Sequence, residues 1–327
     1  MRIRPPRREP AEFFDHRFSK NLFRRASTTC RITPAAGACL DALLESGAHR
    51  HPMRLIQPGS NEVFAISSAP EWPAIGFTTD AGGPHVWQWT IAWGSFQASG
   101  EAQTSGNTWD AGPAVRNYGG ALSVHAGAGQ QSASVTVRVV GANPTADEIA
   151  AYLAAQPGSD GFGRILQHET GCRHFASEGE PLRSFDLGYG MCQLTTPAPS
   201  FDQVWNWQRN LDAGLKLFAA KRAAAAQYLS RGRRNYTPEQ LTYEAVCRWN
   251  GGFYHVWDED ADAWVRNPHI LRDSRAGNIG WDVTDPANQD QTEAELHQRD
   301  CAQYSRPPTP GAHWNYFGVC YADSILG

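Results

Sequence analysis

Lysine is almost absent from this chain of 327 residues, and arginine carries nearly all of its positive charge. No apolar run approaches membrane-spanning length, which argues against a helical membrane protein. No cysteine or histidine spacing suggests zinc, and Cys172 with His174 forms no recognisable metal pair, so no metal or organic cofactor is implied. No internal repeat is visible, which removes solenoids and propellers. The formal net charge of −4 makes no case for nucleic acid as the main partner. What remains has a globular composition, 41% hydrophobic and 19% charged, with an unusually high count of 12 tryptophans. The length suffices for two ordinary domains or one large one.

Charge is unevenly placed. Residues 1–31 hold nine basic residues against three acidic ones, a local +6 that leaves −10 for the remainder. The bland reading of residues 1–55 is a loosely packed basic arm, and the functional one is a docking or loading segment. It does not read as a secretory signal, because "ASTTCRITPAAGACL" after Arg25 is too polar and is broken by Pro34 and Gly37. The seven cysteines read as buried thiols with one or two disulfides, and their odd number leaves at least one unpaired. Such usage fits an oxidising destination.

Residues from about 60 to 141 read as β structure. "HVWQWTIAW" alternates Val86, Gln88 and Thr90 with Trp87, Trp89, Ile91 and Trp93, and "SASVTVRVV" sets Val135, Val137 and Val139 on one face. Gly- and Pro-rich turns separate the runs, as in a small antiparallel sandwich. The stretch from Gly119 to Pro144 resembles the last two strands of a bacterial immunoglobulin-like module, so residues 56–143 are expected to form one.

Helical signals then take over. "TADEIAAYLAAQ" opens with a capping box, Thr145 and Glu148, and places Ile149, Tyr152 and Leu153 at helical spacing. A second helix is expected from about Asp160 to Glu169 and a third from Trp205 to Leu229. A fourth opens at Thr237, with Pro238 at its first position and Gln240 closing the box. Residues 253–312 read as polar and irregular, with a hairpin in "YHVWDEDADAWVRN".

Four pieces of the helical half stand out together: "HETG" with Glu169, "SFDLGYGMCQLTTPAP", "DQVWNWQRNLDAGLKLF" and "YEAVCRWNGGFY". In this order and spacing they resemble the soluble lytic transglycosylases, lysozyme-like enzymes that cut peptidoglycan. The counterparts are Glu169-Thr170, then Gly190-Met191-Cys192-Gln193-Leu194, then Asn210-Leu211 with Gly214. Trp249-Asn250 with Gly252, and Tyr321 in "CYADSIL", complete the set. The resemblance covers residues from about 158 to 325. Thr170, Cys192 and Trp249 depart from the family's serine, methionine and tyrosine.

The resemblance implies cleavage of the β-1,4 bond between N-acetylmuramic acid and N-acetylglucosamine. Cutting such a bond needs a proton on the leaving oxygen as an oxocarbenium-like centre develops. A glutamic acid supplies it when burial raises its pKa towards neutral. Glu169 is the expected acid, enclosed by Ile165, Phe175, Met191 and Trp249. Gly188 and Gly190 are expected to let backbone approach the sugar, with Gln193 hydrogen-bonding it. Asn250 is expected to orient a sugar substituent or the glutamate, and Thr170, Met191, Trp249 and Tyr321 to complete the cleft. Asp186 is the candidate for a second carboxylate. In the family one carboxyl group suffices, because the substrate's N-acetyl group assists and its 6-hydroxyl closes an anhydro ring in place of water. Trp205, Trp207 and His168 read more simply as packing.

The expected fold is thus multidomain α+β: an immunoglobulin-like β-sandwich followed by an α-rich lysozyme-like domain over residues 144–327. The expected partner is the peptidoglycan glycan strand. Export by a secretion machine or a phage particle, action in the periplasm or cell wall, and a neutralising immunity protein are the further expectations. The rivals are a peptidoglycan- or chitin-binding protein with a silent site, and a plain glycoside hydrolase.

Overall fold

The alternation of apolar and polar residues in the first half builds two sheets. A computed structural model describes residues 52–185 and 187–327 of the chain. The strands are β1 (Leu55–Gln57), β2 (Val63–Ile66), β3 (Gly76–Thr79), β4 (His85–Trp93), β5 (Phe96–Thr104), β6 (Thr108–Asp110), β7 (Gly120–Ala128) and β8 (Gln131–Gly141). A five-stranded sheet runs β2-β8-β7-β4-β5, antiparallel except for the parallel pair β2–β8, and a three-stranded sheet runs β1-β3-β6. In β4 the side chains of Trp87 and Ile91 are buried while those of Val86 and Gln88 are exposed, as the period-2 pattern requires. Trp109 of β6 stacks on Trp87 of β4 at 5.9 Å and on Phe77 of β3 at 5.8 Å, so the two sheets share one core.

The second half holds α1 (Ala146–Ala154), α2 (Phe162–Thr170), α3 (Phe201–Trp205), α4 (Trp207–Leu229), α5 (Pro238–Trp249), α6 (Glu293–Asp300) and α7 (Gly318–Leu326). The capping boxes at Thr145–Glu148 and Thr237–Gln240 both form. The helical stretch expected from Trp205 to Leu229 is α4, which begins two residues later because α3 ends at Trp205. Asn206 leaves helical geometry and its side chain caps α4 by accepting from Gln208 N and Arg209 N. Residues 253–312 are not irregular, contrary to the expectation. They carry β9 (His255–Asp258), β10 (Ala263–Arg266), β11 (Ile270–Arg272) and β12 (Ile279–Asp282), as well as α6. β13 (Asn315–Tyr316) joins β11 and β12 in one sheet. Trp281, Leu296, Trp314 and Ile279 give this part a small core of its own.

The change from strand to helix near residue 143 is not a break in packing. Phe175, Tyr189, Phe201, Val204 and Trp205 belong to the same core as the two sheets, with Phe96 against Tyr189 at 5.3 Å and Phe201 at 5.7 Å. The described residues fall within one compact unit. Up to residue 51 the basic arm lies outside them. Arg54 already pairs with Asp80 at 3.0 Å, so the folded part begins ahead of residue 56. The expected disulfides are not formed among the described residues. Cys172, Cys192, Cys247, Cys301 and Cys320 are free thiols. Cys30 and Cys39 lie outside the described residues.

Candidate functional site

Glu169 is the penultimate residue of α2, which ends on Gly171 in the left-handed conformation with its N–H donated to Gln167 O and Leu166 O. Phe162, Ile165, Leu166 and Thr170 are buried, whereas Glu169 is exposed. The carboxylate accepts one hydrogen bond, from Tyr321 Oη to its Oε1 at 2.6 Å. Tyr321 is itself buried in α7. Burial first, and then the Glu169 charge and the hydrogen bond to it, push its hydroxyl far above the usual range. The phenol therefore stays protonated and remains a donor. His168 packs edge-on against the Tyr321 ring at 5.3 Å, as the packing reading of that histidine expects.

The apolar enclosure expected around Glu169 is not found. Ile165 and Met191 are fully buried beneath it in the helical core. Phe175 lies in the other core, against Trp205 at 5.9 Å. Trp249, half-buried, packs on the helical core, meeting Phe162 at 5.4 Å and Phe218 at 6.3 Å.

The segment from Gly188 to Leu194 is clamped to the end of α2. The Thr170 hydroxyl is shared between Leu166 O and Met191 O, both at 3.2 Å. Thr170 is 8% exposed, so it joins two backbone segments and offers no hydroxyl to a ligand. Asn210 of α4, fully buried, accepts from Cys192 N at 3.0 Å and donates to Tyr189 O at 3.1 Å. Gly190 has φ of +69°, and a Cβ there would lie 2.5 Å from the His174 ring and 2.6 Å from the Asn210 amide. The close approach that demands glycine is thus to protein, not to sugar as expected. Gln193 spends one amide hydrogen internally, from Nε2 to Gly190 O at 2.7 Å. Met191, expected at the cleft, is core. Gly214 of α4 faces Cys192, whose Sγ would lie 2.5 Å from an added Cβ.

Asn250 is exposed at the end of α5, with its backbone N–H donated to Cys247 O at 3.2 Å. The exposure leaves its side chain open to solvent, as the expected orienting role needs. Asp186 lies outside the described residues. The structure thus brings together Glu169 and Tyr321, and joins Thr170, Gly190, Met191 and Gln193 into a supporting turn.

Sequence reasoning missed His174, which holds this turn. Its Nε2–H donates to Val204 O at 2.8 Å, since a carbonyl can only accept, and its Nδ1 accepts from Met191 N at 3.3 Å. Burial pushes its pKa down from 6.5 to about 4, against a smaller opposing effect of the bond to Val204. As pH falls, the unfolded chain takes up this proton before the folded one. The stability tied to a neutral His174 is therefore complete above about pH 6.5 and is lost progressively towards pH 4, about 3 kcal/mol in all at ~1.4 kcal/mol per unit. Denaturant unfolding across that window should show the loss, and His174→Gln should flatten the slope. An equal slope in the variant would assign it elsewhere.

Neither the family models nor the curated proteins compared with this chain gave a match.

Proposed function

We propose that this protein cleaves the β-1,4 bond between N-acetylmuramic acid and N-acetylglucosamine in peptidoglycan, as a lytic transglycosylase or muramidase. In this reading the helices form a lysozyme-like scaffold and the sheets an immunoglobulin-like module. The observation that carries it is the 2.6 Å bond from Tyr321 to Glu169, two members of the motif set that stand 152 residues apart in the chain. Because Tyr321 donates to Oε1, a proton held by Glu169 rides on Oε2 and is the one available to a glycosidic oxygen. The exposure of Glu169 suits a site that its substrate covers. A glycan lying over the end of α2 would exclude water and supply the apolar surroundings the free protein lacks. In this reading Asn250, exposed at the end of α5, orients the sugar.

The packing of Trp249 on the helical core and the internal bond of Gln193 favour a second reading, a peptidoglycan- or chitin-binding protein with a silent carboxylate. Incubation with purified cell walls separates the two: the enzyme releases soluble muropeptides and the binder does not. Mass spectrometry of the digest then distinguishes anhydro from reducing ends, and so transglycosylase from hydrolase.

Tyr321→Phe tests the carrying observation. The ring keeps its packing, while the exposed carboxylate exchanges the phenol for water as its hydrogen-bond donor. Turnover should fall at least roughly tenfold, with little change in melting temperature. Undiminished release of muropeptides by this variant would remove Tyr321 from the site.

A further inference from the structure

A cleft of about 820 Å³ opens where the loop between β2 and β3, the turn after β6 and the start of α4 meet. It shares no lining residue with the Glu169 site. Its size falls in the range of ordinary ligand sites, about 300–1,000 Å³. Bonds across the junction of sheets and helices hold its walls in place. Trp207 Nε1 donates to Ser68 O at 2.6 Å, Ser68 Oγ to Glu148 at 3.0 Å, and Asn206 Nδ2 to Asn117 Oδ1 at 3.1 Å. Two aromatic rings in the wall are also fixed. The Trp72 indole N–H donates to Tyr118 O at 2.8 Å, and the Tyr152 hydroxyl to Asp212 Oδ1 at 2.6 Å.

The lining chemistry narrows what the cleft can take. Beside the two rings stand planar polar groups: the Asp212 carboxylate, and the Asn117 and Gln208 amides. An aliphatic ligand would strip these of water without replacing the lost hydrogen bonds. The charged lining is mixed, Glu71, Asp110 and Asp212 beside Arg116 and Arg209, so a ligand with a high charge of either sign meets like charges there. Among the described residues, no group of three or more His, Cys, Asp or Glu side chains is placed to hold a metal ion. A pyranose fits both demands, since its C–H face packs on an aromatic ring while its hydroxyls donate to carboxylate and accept from amide.

We propose that this cleft is a second, non-catalytic site that binds an uncharged oligosaccharide, by stacking on Trp72 and Tyr152 and by hydrogen bonds to Asp212, Asn117 and Gln208. The proposal goes beyond the catalytic reading and stands whether or not Glu169 turns over substrate. The test is calorimetric titration of the full chain carrying Glu169→Gln with a short β-1,4-linked N-acetylglucosamine oligomer. Binding should persist in that background and weaken about tenfold with Trp72→Ala or Asp212→Ala added. Asp212 is exposed, so its variant decides the matter should Trp72→Ala fail to fold. Absence of oligomer binding overturns the proposal. So does binding indifferent to Asp212→Ala, which places the sugar elsewhere, and so does uptake of a short peptide sensitive to Asp212→Ala where the sugar is ignored.

Discussion

Glu169→Gln is expected to abolish release of muropeptides from purified walls while leaving the melting temperature unchanged. The amide is nearly isosteric with the acid and can still accept from the Tyr321 hydroxyl, now at 2.6 Å from the carboxylate. The side chain is exposed, so the substitution buries no new polar group and opens no cavity. What the amide cannot do is deliver a proton to the leaving oxygen. General acid catalysis alone contributes about 10²–10⁴-fold, and the loss should reach that range. Retention of even a tenth of the activity would mean that another group is the acid. The same variant carries the biological reading. Full chain directed to the periplasm of a test bacterium should lyse it, and the glutamine variant should not. Equal behaviour of the two there would remove the expectation of an exported protein that acts on the wall through Glu169.

The parts of the fold written in short-range pattern were legible in the sequence. The alternation in "HVWQWTIAW", the capping boxes at Thr145 and Thr237, and the hairpin of β9 and β10 each depend on residues within a few positions of one another. What depended on distant partners was not. The segment from 253 to 312 looked irregular because its strands are only three or four residues long, and because Trp281 and Trp314 meet only after the chain returns. The burial of Glu169 was misjudged for a different reason. It follows Phe162, Ile165 and Leu166 at intervals of seven, four and three, which continues their apolar stripe. The helix stops one residue later, however, and only the Tyr321 hydroxyl reaches the carboxylate there, so Glu169 stays exposed while Thr170 is clamped to Met191 O. Gly190 and Gln193 stand out by their motif, yet their close contacts are with His174, Asn210 and each other. A spacing shows that a residue type is required but not which neighbour requires it.

Glu244 shows the same limit, and its replacement is the stability change expected to be largest. Nothing in "YEAV" marks it out, yet in α5 its side chain is fully buried. Its Oε1 accepts from Arg248 Nε at 3.0 Å, and its Oε2 accepts from Tyr254 N and His255 N, both at 3.0 Å. The His255 ring lies 3.3 Å from the same oxygen. Every neighbour is therefore a donor or a ring that can become one. In Glu244→Gln the amide nitrogen must face either the guanidinium or the two backbone N–H groups, and one set of donors is left without an acceptor. Removing one partner of a buried ion pair costs about 3–5 kcal/mol. The damage should also travel. Glu244 ties α5 to the start of β9 across the glycine turn at Gly251, and that turn packs on α7 with no space to spare: a Cβ on Gly318 would lie 1.7 Å from Gly251 O. α7 carries Tyr321. Glu244→Gln should therefore lower stability in denaturant titration by about 3–5 kcal/mol and slacken the hold on Glu169 in the molecules that remain folded. A loss below about 1 kcal/mol, within the range of surface substitutions and weak pairs, would show that water enters to serve the stranded donors.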